Sequence, residues 1–351
     1  MILNSVSTQY LDTAMLPAIQ KAQTQLSILE VESSTGEYAD LGLQLGNQSG
    51  YELSLRNDDD LLQALTSANG ITSTDLTTAQ SGLSSLLTSA QTAASGVTSW
   101  LSQGNSSAIL QTVGESSLQQ LIALANTTSS GQYVFGGQNA STAPLDDYYA
   151  SPTSTAKTAV DNAFQSYFGF AVGSPQTDNI TASQMQSFLS GPFANLFTSP
   201  AWGSNWSNAS DDNTTSEIAP GQSAITSTNT NTPGFQQLAQ GYAMLSEFGN
   251  IGLSAAAEQT LGATSLGLID QGVTSVTATQ AELGVSQTAI TQADAYMSTQ
   301  MTQVQTEIGN LDDVDAASVA TQLSTLSIQL ETAYQLTAQI QRLSLAQYLP
   351  T

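Results

Sequence analysis

Apolar and small residues recur at alternating steps of three and four over two long stretches of the chain. The first stretch runs from Leu62 to Trp100, with polar residues at Asn69 and Thr72. The second is stricter, because an apolar residue stands at every seventh position from Ile269 to Leu311. This spacing puts a continuous apolar stripe on one side of a helix, as in coiled coils. We therefore predict two long amphipathic helices, the second extending from about residue 262 to residue 309, on the order of 70 Å.

Capping and turn residues predict where these helices begin and end. The amide and acidic residues at 57–60 indicate the start of the first long helix. A further helix is expected after Gly104, with Leu118, Leu121 and Ala125 on one face. The turn residues at 310–315 predict a break before a last helix.

The apolar stripes are the positions where we expect helices, and ultimately subunits, to pack together. The predicted interface residues are Leu62, Leu65, Leu83, Leu86, Val97, Trp100, Ile269, Val276, Leu283, Ile290, Met297, Val304, Leu311, Leu323, Leu326, Leu330 and Ile340.

The middle of the chain has a different character. From about residue 136 to residue 233 the seven-residue pattern disappears, and Gly, Pro, Asn and aromatic residues become frequent. Short helices are expected at 157–168 and 181–189, and short strands within 202–228. We read this stretch as a compact inserted domain.

The predicted fold class is mainly α. A long antiparallel coiled-coil rod is formed by the N- and C-terminal helices, and a small α+β domain is inserted in the middle. The predicted domains are terminal helices at 1–45 with 312–351, a helical rod domain at 46–138 with 236–311, and a solvent-facing inserted domain at 139–235.

The charge of the chain is strongly one-sided, with 28 acidic and four basic residues and a formal net charge of −24 at pH 7. Phosphate binding requires clustered Lys or Arg, so nucleic acid is excluded as a partner, and an anionic membrane surface is disfavoured. Subunits this acidic repel one another. Any assembly must therefore rest on apolar helix faces and hydrogen bonds.

The chain has no Cys and no His. Their absence removes thiol nucleophiles, imidazole bases and the usual zinc, copper and haem ligands. We expect no catalytic residue, no metal and no cofactor, although spacing alone does not exclude a pair of carboxylates for glycoside hydrolysis. The acidic run Asp58–Asp60 is better explained by a solvated helix start than by a metal site, since calcium loops need spaced acidic ligands.

The first twenty residues carry no basic segment and no apolar run of signal-peptide length. No stretch approaches the roughly eighteen apolar residues that cross a bilayer. The sequence thus predicts a protein that stays in the cytoplasm or leaves the cell without a cleavable signal peptide.

Ser34-Thr35-Gly36, the segment from Ala125 to Gly137 and the C-terminal segment from Ser344 to Leu349 resemble segments of the flagellin superfamily. Ser34-Thr35-Gly36 is similar to the "STG" that ends the first helix in that superfamily, and the segment from Ala125 to Gly137 is similar to one in its hook–filament junction proteins. The C-terminal pattern of Ser344-Leu345 followed by Tyr348-Leu349 is closer to the hook-associated protein 3 family than to flagellin. The "DDP" that most members carry after "STG" is absent here. The residues that carry the resemblance are Gly36, Asn126, Gly131, Tyr133, Phe135, Gly137, Asp315, Ser344, Leu345, Tyr348 and Leu349.

The resemblance implies a secreted, non-enzymatic structural subunit of the bacterial flagellum. It implies self-assembly into a helical tube between hook and filament, in contact with hook-associated protein 1 and flagellin. It also implies export through the flagellar type III apparatus with an export chaperone.

Three other interpretations stay open at this stage. Flagellin itself belongs to the same class. A secreted adhesin or effector with coiled-coil ends would instead be a monomer with ordered termini. An ordinary intracellular coiled coil would carry charged residues beside the apolar stripe, whereas those positions here are mostly Thr, Ser and Gln.

Overall fold

The structure, a computed structural model, describes the backbone of residues 8–104 and 106–346 and the side chains of residues 15–104 and 106–339. It confirms the mainly α class, with long helices from both ends of the chain and only small antiparallel sheets in the middle. The α-helices are α1 (Thr8–Thr35), α2 (Leu41–Leu45), α3 (Ser49–Gln103), α4 (Ala108–Ala125), α5 (Thr155–Phe168), α6 (Ala182–Phe188), α7 (Ala201–Asn205), α8 (Pro233–Phe248), α9 (Ala255–Asp312) and α10 (Ala316–Ala346). Two hairpins pair β1 (Thr128–Ser129) with β2 (Gln132–Tyr133) and β3 (Thr215–Ala219) with β4 (Gln222–Ile225).

The chain divides into two compact units, to which α3 and α9 both contribute residues. We call residues 1–63 with 298–351 the terminal unit and residues 64–297 the central unit. The segment at 139–235 lies within the central unit. Its expected position facing solvent in an assembly stays a prediction.

In the terminal unit, α1 and α10 pack against each other. Gln23 Nε2 donates a hydrogen bond of 2.6 Å to the Tyr334 hydroxyl. Helix α1 ends at Gly36, whose φ of +81° is a left-handed conformation that favours glycine. The Gly36 carbonyl then accepts from Val314 N at 2.8 Å. This hydrogen bond joins the end of α1 to the break between α9 and α10, which lies within the predicted turn at 310–315.

Helix α3 begins eight residues before the predicted start at 57–60. That prediction was wrong, because the helical surface continues upstream. Leu55 is buried and precedes Leu62 by one heptad. Arg56 bonds to Glu52 one turn earlier and to Asp312. The acidic run lies inside the helix, where Gln305 Nε2 donates to Asp59 Oδ1 at 3.0 Å.

The central unit contains a bundle of four antiparallel helices. Asn69 on α3 donates to Asp294 on α9 at 2.6 Å, and further along α3 Gln80 donates to the Gln280 carbonyl at 2.8 Å. Helix α4 returns along α3, where Ser89 Oγ donates to Gln120 Oε1 at 2.8 Å.

Helix α8 completes the bundle and was not identified from the sequence. Every residue of α8 except Pro233 is buried or half-buried. Its polar residues Gln236, Gln240 and Glu247 are half-buried, whereas its apolar residues lie in the core. Glycines bring it close to its neighbours: a Cβ on Gly241 would lie 3.3 Å from Ile269 of α9, and one on Gly114 of α4 would lie 2.2 Å from Ser246 N.

Aromatic side chains fill the rest of the central unit. Phe164 on α5 stacks on Phe248 at the end of α8, with 5.3 Å between ring centroids. The predicted short helices at 157–168 and 181–189 are confirmed by α5 and α6. Strands within 202–228 occur only at β3 and β4. The residues at the start of that range form helix α7 instead of a strand. Helical spacing places Trp202 and Trp206 one turn apart, where their buried rings stack with centroids 5.7 Å apart.

Candidate assembly surface

The predicted interface residues occupy three kinds of position in the single chain. Eleven are buried: Leu62, Leu83, Leu86, Val97, Trp100, Ile269, Val276, Leu283, Ile290, Met297 and Leu330. Five are half-buried: Leu65, Val304, Leu311, Leu323 and Leu326. The side chain of Ile340 lies outside the described residues. The stripe within the central unit is therefore largely filled by helices of the same chain, and a role of these residues between subunits stays a prediction.

The residues of the N-terminal family motif form a structured corner after α4. Asn126 accepts from Leu145 N at 3.0 Å and donates to Leu145 O at 2.8 Å. Gly131 and Gly137 have φ of +82° and +61°, so both turns require glycine. Tyr133 N donates to Ala140 O at 2.9 Å. The motif thus directs the chain out of the bundle.

Two further motif residues close this corner. The Phe135 ring is buried and lies 5.3 Å from the Phe235 ring at the start of α8. A Cβ on Gly137 would lie 2.7 Å from Asp212 O, so backbone packs directly on this position.

The C-terminal motif is described in part. Asp315 caps α10, with its Oδ1 accepting from Ala317 N at 3.0 Å and from Ser318 N at 3.2 Å. Ser344 and Leu345 belong to α10, but their side chains lie outside the described residues. Tyr348 and Leu349 lie outside them altogether.

The terminal unit has very little core of its own. Among the described side chains, its buried apolar residues are Leu29, Leu55, Leu62, Val319 and Leu330. All other buried apolar side chains of the described chain belong to the central unit. Since buried apolar area is the main favourable term in folding, the terminal unit is stabilised far less by contacts within the chain.

Large apolar side chains are exposed mainly on the terminal unit. Of the fifteen exposed large hydrophobic residues in the described part of the chain, nine lie there: Leu16, Val31, Leu43, Tyr51, Leu53, Leu61, Ile328, Tyr334 and Leu336. Six lie in the central unit, whose described part is more than twice as long: Ile71, Ile109, Tyr167, Ile225, Val285 and Tyr296. A concentration of exposed large apolar residues on one unit indicates an interaction site. We therefore take the terminal unit to be the candidate assembly surface.

The free energy available from this surface is large. Full burial of one Leu or Ile side chain contributes roughly 1.5–3 kcal/mol. The nine side chains are about half exposed, so covering them offers on the order of 10 kcal/mol as an upper bound. None of these nine residues is among the predicted interface residues, because the seven-residue pattern marks only the inner stripe. Their signal was present as a second set of apolar positions, for example Ile328 and Leu336, eight residues apart on α10.

One cation lies between acidic side chains of the terminal unit. Arg56 bonds to Glu52 and to the buried carboxylate of Asp312. The hydrogen bond to Glu52, opposed by partial burial, raises the pKa of Arg56 above its ordinary value. The contact between Arg56 and Asp312 joins α3 to the end of α9.

No group of three or more acidic, His or Cys side chains that could hold a metal ion occurs among the described residues. Within the same part of the chain, no helix is long and apolar enough to cross a membrane.

The paired terminal helices have a sparse core and exposed apolar side chains, as expected of a structural protein that packs against other chains. Family models for the bacterial flagellin N-terminal helical region and C-terminal helical region match residues 6–140 and 266–349, together more than half of the chain. The chain belongs to the flagellin superfamily and is a flagellar structural protein.

Two solved structures are similar to the chain at low sequence identity. The crystal structure of Bacillus cereus FlgL is 14% identical, with a TM-score of 0.47, and the match covers 74% of this chain and 99% of that one. A putative flagellar hook-associated protein from Vibrio parahaemolyticus is also 14% identical, with a TM-score of 0.41 and coverage of 76% and 96%. No curated protein matches the sequence significantly.

Proposed function

We propose that this chain is the hook–filament junction subunit of the bacterial flagellum, hook-associated protein 3. The observation that carries the proposal is the contrast between the two units: the central unit has its own core, whereas the terminal unit, among its described side chains, exposes nine large apolar residues and buries five. Membership of the flagellin superfamily supports assembly in a flagellar structure. The junction role is favoured over the filament role by the C-terminal pattern around Ser344 and Tyr348.

The proposed mechanism follows from the energetics of the helical ends. Helices α1 and α10 bury little surface within one chain, and helices gain most of their stability in proteins from packing. Neighbouring subunits supply the missing contacts when they cover α1, α10 and the first turns of α3. The net charge of −24 opposes this association at neutral pH, so apolar burial must exceed the repulsion.

The proposal also specifies location and partners. The subunit is exported with a flagellar export chaperone and self-assembles in a helical tube. Hook-associated protein 1 lies on its hook side and flagellin on its filament side. The subunit acts without catalysis and without a cofactor.

An in-frame deletion of the gene tests the role directly. The junction proposal predicts cells with hooks but no filaments, and flagellin released into the medium. Normal filaments on the deletion strain would contradict the proposal. Loss of the filament with no flagellin in the medium would instead indicate that the chain is the filament subunit. A high number of copies of this chain per flagellum would likewise indicate flagellin and not a junction protein.

Complementation of the deletion tests whether the terminal unit is the assembly surface. Ile328 of α10 and Ile71 in the central-unit part of α3 are both 63% exposed on helices. We expect I328Q to reduce filament number and motility and I71Q to leave them unchanged, because only Ile328 belongs to the proposed surface. Both proteins must be exported at wild-type levels. Equal behaviour of the two variants would refute the assignment of the surface.

A further inference from the structure

A pocket in the central unit is lined by aromatic rings and amide side chains. It lies between the end of α5, the 3₁₀ turn at Pro175–Asn179 and the start of α6, and its volume is about 500 Å³. This volume is within the range of ligand pockets, roughly 300–1,000 Å³. The rings are Tyr167, Phe168 and Phe170, and the amides are Gln176, Asn179 and Gln184. No charged residue lines the pocket: Asp178 precedes Asn179 in the sequence but is not part of the lining.

The aromatic wall is held in place from behind. The rings of Tyr167 and Phe168 meet edge to face, with centroids 4.9 Å apart. Both also pack on the fully buried ring of Phe188, at 5.6 and 5.2 Å. Tyr167 is nevertheless 41% exposed. The wall therefore offers apolar ring surface that needs no ordering when a ligand binds.

The amide groups have hydrogen-bonding capacity to spare. Gln184 Oε1 accepts from Thr181 N at 3.0 Å and from the Thr181 hydroxyl at 2.9 Å, which fixes the side chain. Within the described part of the chain, the Gln184 amide nitrogen donates to no group, and the exposed Asn179 side chain forms no hydrogen bond. An amide supplies both donors and an acceptor.

We propose that this pocket binds a neutral sugar unit of a glycan. A pyranose ring has an apolar C–H face and a rim of hydroxyl groups. Aromatic rings with a negative face attract the C–H face, and amides bond to hydroxyls in either direction. The lining carries no cation for an acidic sugar and no carboxylate for an amino sugar, and the net charge of −24 repels anions. The inference is independent of the junction role.

Saturation-transfer NMR on the full chain tests the proposal. The probes are methyl β-D-glucopyranoside, methyl β-D-galactopyranoside and methyl α-D-mannopyranoside, with methyl β-D-glucuronide as the anionic comparison. We expect at least one neutral glycoside to bind in the millimolar range and the glucuronide to bind more weakly. Since Asn179 is exposed and unbonded within the described residues, N179A leaves the fold intact and is expected to weaken binding about fivefold.

Tyrosine variants separate ring stacking from general effects. Y167A is expected to weaken binding about tenfold and Y167F to restore most of it, because the ring and not the hydroxyl makes the contact. Y296A is the matched control, as Tyr296 is 59% exposed on α9 and lies outside the pocket lining. The proposal is overturned if no neutral glycoside binds, if the glucuronide binds best, or if N179A and Y167A bind as tightly as Y296A.

Discussion

Replacement of Gly114 by alanine tests the close packing of α4 on α8. A Cβ at this position would lie 2.2 Å from Ser246 N and 2.7 Å from the carbonyl carbon of Leu245. Both atoms belong to the backbone of α8, so no side-chain rotation relieves the overlap. One of the two helices has to shift.

The expected magnitude combines two opposing effects. Overpacking a well-filled core costs about 1–3 kcal/mol, and contact with backbone places this site at the upper end. Alanine in a helix gains about 0.5–1 kcal/mol over glycine. The net destabilisation should therefore be roughly 2 kcal/mol. Gly70 in α3 is the matched control, because a Cβ there meets nothing within 4 Å. G70A should stabilise the protein by about 0.5–1 kcal/mol.

Urea unfolding followed by tryptophan fluorescence measures both variants. The three tryptophans of the chain, Trp100, Trp202 and Trp206, are all buried in the central unit, so the signal reports that unit alone. The urea midpoint should fall for G114A and rise slightly for G70A, with unchanged slope. An unchanged midpoint for G114A would refute the described approach of α4 to α8.

Two further predictions concern buried polar groups of the central unit. Burial raises the pKa of Tyr242 above its ordinary value near 10, so its contribution to stability is complete below about pH 10 and is lost as the pH rises towards the folded-state pKa. Its hydroxyl forms no hydrogen bond within the described residues, so Y242F should be at least as stable as the wild type at pH 7. The urea midpoint of Y242F should also fall less than that of the wild type between pH 9 and 11. Parallel pH profiles of the two midpoints would contradict this prediction. The Asn69 side chain donates to Ile218 O at 2.8 Å and to Asp294 Oδ1 at 2.6 Å. N69A should therefore lower the free energy of unfolding by about 1–3 kcal/mol in the same assay. Asn162 is exposed, and the control N162A should change that free energy by no more than about 0.5 kcal/mol. Equal midpoints for N69A and N162A would show that the hydrogen bonds of Asn69 between α3 and its neighbours do not stabilise the central unit.

The long helices could be predicted from sequence because their apolar spacing is continuous. The second was expected at about 262–309 and occurs at Ala255–Asp312. The capping residues at 57–60 predict too late a start for α3, because the buried stripe continues upstream to Leu55. Helix α8 was not predicted, although its apolar residues Phe235, Leu238, Tyr242 and Leu245 recur at steps of three and four.

The candidate assembly surface could be predicted only in part. A heptad pattern shows which residues face another helix, but it does not show whether that helix belongs to the same chain. Most of the predicted stripe is filled within the central unit, as at Leu83 and Val276. The exposed residues of the terminal unit, such as Leu43 and Ile328, emerge only when the whole fold shows what remains uncovered. The aromatic pocket likewise depends on segments that meet only in the fold.

Hydrogen exchange of the purified chain, read by mass spectrometry, tests the central claim most directly. Exchange reports local opening, and segments with little buried apolar surface open most easily. After correction for intrinsic rates, amides of α1 and α10 should exchange at least roughly a hundredfold faster than those of α8, which is buried along almost its whole length. Equal protection of α1, α10 and α8 in the unassembled chain would show that the terminal helices are stable without neighbours, and would contradict the account.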